Sequence, residues 1–517
     1  MGWASIQHIL MEKIKPSSSP TSLQSGVSFS PSRESVFAVY NRGLDAVVEL
    51  VLVLWRIIIE QSTKITELEA KIKSLEDKQS KNSRNSSKPP STDSKKKIRS
   101  LRGKSDKPVG GQKGHKGRTL RIVKNPDQVI IHPVNECKSC GRSLRDTPIA
   151  NHECRQVFDI PPIKVIVTEH RAEIKVCPHC TSLNKAAFPE GVQHATQYGS
   201  RLKAFAVYFN QYQLIPFDRL GEIFADLYNH HLSLGSLVNI NKELYNTLAP
   251  VEGYIKHKLI ASLVVCFDET GMRIEGKREW CHTASTNLLT FFAPHHFRGS
   301  KANEDMGILT AFKGTAMHDF WSAYLKFNCS HALCNAHHLR DLTFIHEEHN
   351  QTWAKMMIDL LIDIKKAVDT RRPTDSKLNP AEIKAFEEKY DRVIEMAKLE
   401  NPPPTGSGPQ GQVKKRGRKK KTKAQNLLER LQEYRREALA FMYDFRVPFD
   451  NNQAERDERM IKVQQKISGT FRSWDGAMTF CRIRGYISTA RKNSISVIDA
   501  IQGAFDGIPF YPQGIEF

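Results

Sequence analysis

Two cysteine pairs with the spacing Cys-x-x-Cys constrain this chain more than any other local feature. They are Cys137 with Cys140 and Cys177 with Cys180, and 36 residues separate the pairs. Two such pairs, each on a hairpin turn, can close a tetrahedral site in which four thiolates bind one Zn²⁺. Four thiolates leave no open position on the metal, so the spacing predicts a structural zinc site. Four buried free thiols are the alternative, which this spacing does not favour.

The sequence between the pairs predicts the strands that a zinc ribbon needs. Residues 157–176 alternate apolar and polar side chains, as half-buried strands do. His152 and Cys154 lie nearby as candidate spare ligands. No secretory signal or membrane span is evident, because the longest apolar stretch, residues 46–59, is short and contains two charged residues. These features favour metal binding in a reducing cytoplasm over disulfides.

Positive charge is concentrated in two tracts. The formal net charge of the chain is +21. Residues 81–125 carry 15 lysine and arginine residues against two aspartates, and residues 414–423 carry eight with no acid, so the rest is close to neutral. Basic tracts that flank ordinary globular sequence indicate contact with a polyanion, most simply nucleic acid. Solvated flexible linkers are the alternative.

The N-terminal part of the chain predicts three segments. Residues 1–33 are rich in serine and proline and are expected to be disordered. Residues 34–80 predict one helix whose apolar residues recur with heptad spacing, which favours a coiled coil and self-association. A long amphipathic helix packed on its own protein is the alternative. Residues 81–125 have too much glycine, serine, proline and lysine to bury a core, and predict a basic flexible arm.

Three acids occupy positions where a sheet and a helix could present them together. Residues 262–268 predict a buried strand that ends in Asp268. Two further strand-like runs joined by a turn at residues 275–277 follow, then a short helix over residues 301–309 and a short strand with Asp319 at its tip. Glu455 lies on a later, highly charged helix. Two aspartates at strand ends and a glutamate on a helix could hold two divalent metals, and hard carboxylate ligands suit Mg²⁺. The chain has 56 acids, however, so spacing alone does not single out these three.

Two of the three acids have a local alternative. Glu455 could be a solvated surface residue that pairs with a cation one turn further along the helix. Asp450 is predicted to cap that helix, with Gln453 as its partner in a capping box. Glu269 is the rival of Asp268, but successive strand residues point to opposite faces, so we do not expect both to reach one metal.

A cluster of soft ligands follows the second aspartate and raises the question of a second zinc site. A buried strand that passes into a packed helix is the favoured interpretation of this cluster. Its members are Cys329, His331, Cys334, His337 and His338.

Several motifs resemble those of transposases of the insertion sequence 66 family, in the same order along the chain. They are SRNSSKPPS at 83–91, GGQKGHKG at 110–117, the two cysteine pairs, DET at 268–270, HDFWSAY at 318–324, CNAHHLRDL at 334–342, DNNQAER at 450–456 and KISGTFRSWDGA at 466–477. The resemblance covers roughly residues 60–500. Many family members have Asp-Gly-Tyr where this chain has Asp319-Phe320-Trp321, and residues 1–33 have no identified counterpart.

The resemblance implies a multidomain α+β protein with a ribonuclease H-like α/β catalytic core and a helical insertion. It implies a DDE triad of Asp268, Asp319 and Glu455 that holds two catalytic Mg²⁺ ions, with Mn²⁺ as a substitute, besides the one structural Zn²⁺. The residues expected to contact DNA are Lys113, His115, Lys116, Arg118, Arg456, Arg459, Lys466 and Arg472.

The expected domain order follows from these motifs and from composition. After the arm come a zinc-binding domain (126–195), a helical region with a break near residues 230–233 that is compatible with a helix-turn-helix (196–258), a catalytic core in two pieces (259–342 and 445–505), a helical insertion (343–444) that contains a basic linker (400–424), and a C-terminal tail (506–517).

The function implied is that of a DNA transposase of an insertion sequence. It would bind the element's ends, cut the phosphodiester with water and join the freed 3′-hydroxyl to target DNA. The implied partners are double-stranded DNA, further copies of the chain and small accessory proteins encoded by the same element, with no membrane, in the bacterial cytoplasm at the nucleoid. A non-catalytic zinc DNA-binding regulator and a structure-selective nuclease on the same fold are the alternatives.

Overall fold

The computed structural model describes residues 32–86, 88, 114, 120–402 and 421–513. It divides the chain into two compact units, Met1–Ser80 and Lys81–Phe517. The expected disordered N-terminus, most of the basic arm and most of the basic linker lie outside the described residues. In the described part, no helix is both long and apolar enough to cross a membrane.

The described part of the first unit consists of two helices, α1 (Arg33–Tyr40) and α2 (Leu44–Ser80). The prediction of one continuous helix is therefore wrong at residues 41–43, where Gly43 has a φ of +100° that glycine adopts without a side-chain clash. The heptad residues of α2 are exposed in the single chain. They are therefore available to pair with the same residues of a second copy in a coiled coil. They include Val51, Leu54, Ile58, Ile65, Leu68, Ile72 and Leu75. The coiled coil stays a prediction.

The region around the cysteine pairs contains little paired secondary structure. Strands β1 (Ile174–Val176) and β2 (Leu183–Lys185) pair antiparallel on either side of the second cysteine pair. The strands predicted over residues 157–173 do not form. The alternation gives this segment an apolar face, but Val157 is 91% exposed. Among the described residues no strand packs against that face, and a strand needs such packing to form.

Helices precede the central sheet. The break between the second and third of them occurs at residues 229–233, as predicted. Asn229 ends one helix with a φ of +49°, and the Ser233 hydroxyl caps the next by accepting the Ser236 N–H at 3.1 Å. A role of this pair in reading DNA stays a prediction. The elements are α3 (Ser200–Val207), a π-helical turn (Tyr208–Tyr212), α4 (Phe217–Tyr228), α5 (Leu234–Thr247) and α6 (Ala249–Ile260).

A five-stranded mixed sheet forms the centre of the second unit. Its order is β5-β4-β3-β6-β7; β3, β4 and β5 are antiparallel neighbours, whereas β6 and β7 run parallel to β3. The predicted turn between β3 and β4 is confirmed, since Glu275 and Gly276 both have positive φ, +52° and +76°, as a two-residue hairpin loop needs. The strands are β3 (Val264–Ile274), β4 (Lys277–Ser285), β5 (Thr290–His295), β6 (Thr315–His318) and β7 (Ser330–Leu333).

Strand β3 continues past Asp268, so the prediction that it ends there is wrong. Its parallel pairing with β6 stops at Cys266, which pairs with Met317. From there β3 continues as one arm of the hairpin with β4 as far as Ile274. The apolar run covers the part of β3 that pairs with β6, and the hairpin with β4 extends the strand beyond it.

The remaining helices follow β5 along the chain and occupy most of the predicted insertion (343–444), whose role as an insertion stays a prediction. The helix expected over residues 301–309 is in fact two, because Gly307 takes a φ of +71° between them. Trp353 and Tyr390 are fully buried in an apolar cluster that also contains Cys266 of β3 and Met317 of β6. The elements are α7 (Ser300–Met306), α8 (Ile308–Ala311), a 3-10 turn (Tyr324–Lys326), α9 (Asn335–His349), α10 (Thr352–Arg371), α11 (Pro380–Glu400), α12 (Lys423–Glu433), α13 (Arg435–Ala438), α14 (Ala440–Tyr443), α15 (Asn452–Ser468), α16 (Trp474–Lys492) and α17 (Val497–Phe505).

Candidate active site

Asp268 and Asp319 lie side by side where the parallel strands stop pairing. Each is two residues beyond the paired positions Cys266 and Met317, and Asp319 directly follows β6. Burial raises the pKa of Asp268 well above its ordinary value, and the negative charges of Glu269, Asp319 and Glu455 raise it further. The structure therefore places both Asp319 and Glu455 within electrostatic reach of Asp268.

The environment of Asp319 is less purely acidic. Burial raises the pKa of its carboxyl, while the positive charge of Arg298, the backbone N–H of Trp321 and the charge of Arg430 oppose that rise. The Trp321 N–H donates to Asp319 Oδ1 at 3.1 Å and fixes the carboxylate just beyond the strand. Sequence reasoning did not identify Arg298, because it follows β5 and nothing local indicates which acid it meets.

Glu269 has its own partners. The Arg298 Nε donates to Glu269 Oε1 at 2.7 Å, and the Tyr324 hydroxyl donates to Oε2. Burial and the charge of Asp319 raise the pKa of Glu269 to about 7, although its two donors oppose the rise. A carboxylate already held by two donors has less capacity for a metal, which agrees with the preference for Asp268.

Helix α15 presents Asp457 and Glu458 besides Glu455, and their contacts distinguish them. Asp457 forms a largely buried ion pair with Lys492 at 2.7 Å. Glu458 is 6% exposed, and its Oε1 accepts the Thr283 hydroxyl at 2.8 Å. Burial raises the pKa of Glu458 well above its ordinary value, and the negative charge of Asp268 raises it further.

Glu455 has the weakest polar contacts of the three helix acids. It is half-buried, and its ion pair is with Arg340 at 3.9 Å. Burial raises the pKa of Glu455, and the positive charge of Arg340 opposes the rise. A carboxylate with one loose ion pair, within electrostatic reach of Asp268, remains available to a cation.

The start of α15 differs from the prediction. The residue before the helix is Asn451, and no side-chain cap or capping box with Gln453 forms. Asp450 Oδ1 instead accepts the N–H of Asn452 at 3.1 Å. The helix begins one residue later than a capping Asp450 would set it, because tertiary contacts fix its first turn.

Those tertiary contacts come from Asn451, which is fully buried. Its N–H donates to the Cys334 sulfur at 3.2 Å, and its Nδ2 donates to the carbonyl of Phe267 at 2.8 Å. Asn451 thereby ties the start of α15 to β3 beside Asp268 and to the start of α9. Nothing in the sequence indicates this role, since it depends on two segments more than a hundred residues away.

The soft ligands after Asp319 do not gather as one cluster. His331 pairs with His318 at 2.9 Å, and His338 with Asn335 at 3.1 Å. Cys334 and His337 instead join Glu455, with one potential ligand atom of each lying within 4.8 Å of the others. Among the described residues this is the one group of three or more His, Cys, Asp or Glu side chains that meets that distance. The oxygens of the three predicted acids are spread more widely.

The two cysteine pairs adopt the same turn. The Cys137 N–H donates to the Arg142 carbonyl, and the Gly141 N–H donates to the Cys137 carbonyl, both at 2.9 Å; the second pair repeats both bonds at the same offsets and length. The fourth residue after the first cysteine has positive φ in each turn, +71° at Gly141 and +56° at Thr181. In each turn the two thiols interact with each other, as neighbouring ligands of one metal can.

The local hydrogen bonds suit zinc, although the two turns are not joined. The N–H of Cys140 lowers the pKa of the Cys137 thiol, and the Ser182 hydroxyl lowers that of Cys180. A lowered pKa favours the thiolate that zinc binds. Within the described chain, no three of these sulfurs lie within 4.8 Å of one another. The four-thiolate site stays a prediction, and the geometry of each turn is compatible with it.

The predicted DNA-contacting residues divide into two sets. Lys113, His115, Lys116 and Arg118 lie outside the described residues. The other four, Arg456, Arg459, Lys466 and Arg472, are all exposed on or just after α15.

A basic groove opens beside Lys466. Its cavity has a volume of about 510 Å³. The lining includes three cations and no acid: Arg273, Gly276, Lys462, Gln465, Lys466, Gly469 and Thr470. Sequence reasoning missed Arg273 and Lys462, although Lys462 lies one helical turn before Lys466 on α15 and could have been found from that spacing.

Sequence comparisons identify the family. The profile described as Transposase IS66 family matches residues 195–479, more than half of the chain and all three candidate acids. The zinc-finger binding domain of transposase IS66 matches residues 135–181, which contain both cysteine pairs, and a Family of unknown function (DUF6444) matches residues 44–121. No curated protein gives a significant match. The chain therefore belongs to the Transposase IS66 family.

Proposed function

We propose that this transposase cuts and joins DNA at a two-metal centre held by Asp268, Asp319 and Glu455. The observation that carries the proposal is the buried acidic cluster, in which burial and neighbouring carboxylates both raise the pKa of Asp268. Carboxylates buried together repel one another, and a divalent cation removes that repulsion. Such an arrangement costs stability, so its presence in a folded protein indicates that a function requires it.

The residues present fit Mg²⁺ or Mn²⁺. The donors are hard carboxylate oxygens, which these ions prefer. When bound, a pair of ions activates the attacking oxygen and stabilises the leaving oxygen of a phosphodiester.

The chain itself supplies position and rigidity. Asp268 and Asp319 lie on and directly after paired strands, and Asn451 anchors the helix that carries Glu455. The five-stranded mixed sheet supports a ribonuclease H-like core, with the helices α10 to α14 as the insertion before the last acid. Strand cleavage by water and joining by the freed 3′-hydroxyl would use this same centre in turn.

Binding of double-stranded DNA would use the exposed cations near the acids. Arg456, Arg459, Lys466 and Arg472 are exposed, and the groove beside Lys466 has cations but no acid in its lining. Cations in such a groove can neutralise phosphates and release counterions, which gives affinity without sequence selectivity. The matched zinc-finger domain supports a further contact with DNA.

A joining assay with the element's own ends and Mg²⁺ tests the proposal. We expect cleavage and joining by the wild-type chain, and loss of both in Asp268→Asn, Asp319→Asn and Glu455→Gln, since both steps use the same ions. DNA binding should survive in all three. Glu269→Gln is the matched control and should be milder, because Glu269 is held by Arg298 and Tyr324.

Two results would favour the other candidate functions. Cleavage without joining would indicate a structure-selective nuclease. Binding of the element's ends with no cleavage by the wild-type chain, in either Mg²⁺ or Mn²⁺, would indicate a non-catalytic regulator. Activity that survives substitution of all three acids would show that the centre lies elsewhere.

A further inference from the structure

A thiol, an imidazole and a carboxylate converge beside the acidic cluster. Potential ligand atoms of Cys334, His337 and Glu455 all lie within 4.8 Å of one another. Cys334 is buried, whereas His337 and Glu455 are half-buried. This donor set differs from the all-carboxylate triad, because sulfur and nitrogen are soft or borderline ligands that suit zinc better than magnesium.

The fold builds this group from the starts of two helices. Cys334 follows β7 and immediately precedes α9, and His337 is in the first turn of α9. Glu455 is in the first turn of α15. The bond from the Asn451 N–H to the Cys334 sulfur, 3.2 Å long, joins the two helix starts. Burial raises the pKa of the Cys334 thiol to about 12 and the Asn451 N–H opposes that rise, so a metal that binds here has to displace the thiol proton.

Two buried polar atoms at this junction lack partners. Within the described residues, His337 Nδ1 and Asn451 Oδ1 accept or donate no hydrogen bond. A buried polar atom without a partner costs free energy, so native structures rarely leave one without a reason. Two of them on residues that flank the Cys334 sulfur indicate that a further species binds here.

We propose that Cys334, His337 and Glu455 bind one Zn²⁺ ion, distinct from the zinc of the cysteine pairs, and that this ion inhibits DNA cleavage by withdrawing Glu455 from the carboxylate centre. One thiolate and one carboxylate balance the charge of the ion, which allows it to be buried. Three protein ligands leave the fourth tetrahedral position to water. The inhibition rests on the proposed function, whereas the zinc binding does not.

Arg340 would compete with zinc for the carboxylate of Glu455. Its Nη2 lies 3.9 Å from Glu455 Oε2, and both side chains are about a quarter exposed. A partly solvated ion pair of this length contributes little, so a coordinate bond to zinc would replace it readily. Once displaced, the Arg340 side chain can be solvated.

Metal content tests the site without any need for DNA. The zinc-loaded full-length chain should hold two ions, and Cys334→Ser should hold one. The variant Cys137→Ser, Cys177→Ser should also hold one, and its Co²⁺ form should show thiolate-to-metal absorption that Zn²⁺ abolishes. Adding Cys334→Ser should remove that absorption, adding His337→Ala should weaken binding at least tenfold, and adding Cys329→Ser, a half-buried cysteine outside the group, should leave it unchanged.

Inhibition is tested separately. Zn²⁺ added to the Mg²⁺-dependent cleavage reaction should inhibit the wild-type chain at concentrations at least tenfold lower than those that inhibit Cys334→Ser. Thermal melts of every variant establish that it is folded. Equal zinc content in the folded wild type and Cys334→Ser would overturn the site. Two ions in the wild type with identical zinc sensitivity in both chains would overturn the inhibition alone.

Discussion

The acidic cluster and the cysteine pairs hold their ligands in opposite ways. Asp268, Asp319 and Glu455 are separated by 50 and 135 intervening residues, and packing of β3, β6 and α15 brings them together. Each cysteine pair, by contrast, is positioned by hydrogen bonds within six residues. The acids need the whole fold, whereas each pair needs only its own turn.

The burial of the two regions shows what stabilises each. Phe267 and Met317, which precede the two aspartates, are 2% and 1% exposed. Between the cysteine pairs, Ile166 and Val167 are 83% and 89% exposed. Apolar burial therefore orders the acidic cluster before any ligand binds. The cysteine region lacks that burial, so we expect the metal to supply most of its folding free energy.

Removal of zinc should produce the largest effect and separate the two regions. Structural zinc contributes on the order of 10 kcal/mol to small metal-dependent domains, so chelation should unfold residues 126–195. The apolar core should keep its thermal transition. Limited proteolysis and thermal unfolding with and without a chelator measure both. Cys154→Ser is the matched control and should keep its zinc; simultaneous melting of the core would mean that the two regions are not independent.

Substitution of Glu455 should test which helix acid completes the centre. Glu455→Gln should lower the rate of strand cleavage by about a thousandfold, equivalent to roughly 4 kcal/mol of transition-state stabilisation. Glu458→Gln should lower it by less than about tenfold, because burial raises the pKa of Glu458 and so favours the neutral carboxyl, which glutamine resembles. Single-turnover cleavage rates decide. The reverse order of effects would indicate that Glu458, one turn further along α15, is the third ligand.

Asp457→Asn should affect stability more than chemistry. It removes the partner of Lys492 in a largely buried ion pair, which should lower the free energy of unfolding by about 3 kcal/mol. Cleavage per folded molecule should stay near the wild-type rate. Chemical denaturation with Glu304→Gln, an exposed acid, as control gives the difference. A loss of cleavage in a fully folded Asp457→Asn chain would place this acid in the centre.

Lys466→Ala should give the smallest effect. Loss of one phosphate contact should weaken DNA binding by a few-fold and lower the slope of log affinity against log salt by about 0.9. Deletion of residues 81–125 should lower that slope by several such steps. Salt titrations of binding measure both changes, with Lys384→Ala on the exposed side of α11 as control. An unchanged slope after both changes would show that neither tract contacts phosphate.

Local patterns in the sequence were sufficient for much of the fold. The turn at Glu275 and Gly276, the strand before Asp319 and the break between α4 and α5 each depend on neighbouring residues and were predicted. The cysteine spacing and the motifs around the three acids identified the family, which the profile matches confirm. These features are encoded within a few residues of one another.

The tertiary structure decided where distant segments meet. The sequence does not show that β3 continues past Asp268, because the hairpin with β4 sets its length. Nor does it show that Asn451 joins α15 to Cys334, since a hydrogen bond across more than a hundred residues leaves no periodic pattern. The convergence of Cys334, His337 and Glu455 has the same origin. Packing of the apolar core fixes these distances, and no local propensity of the chain encodes them.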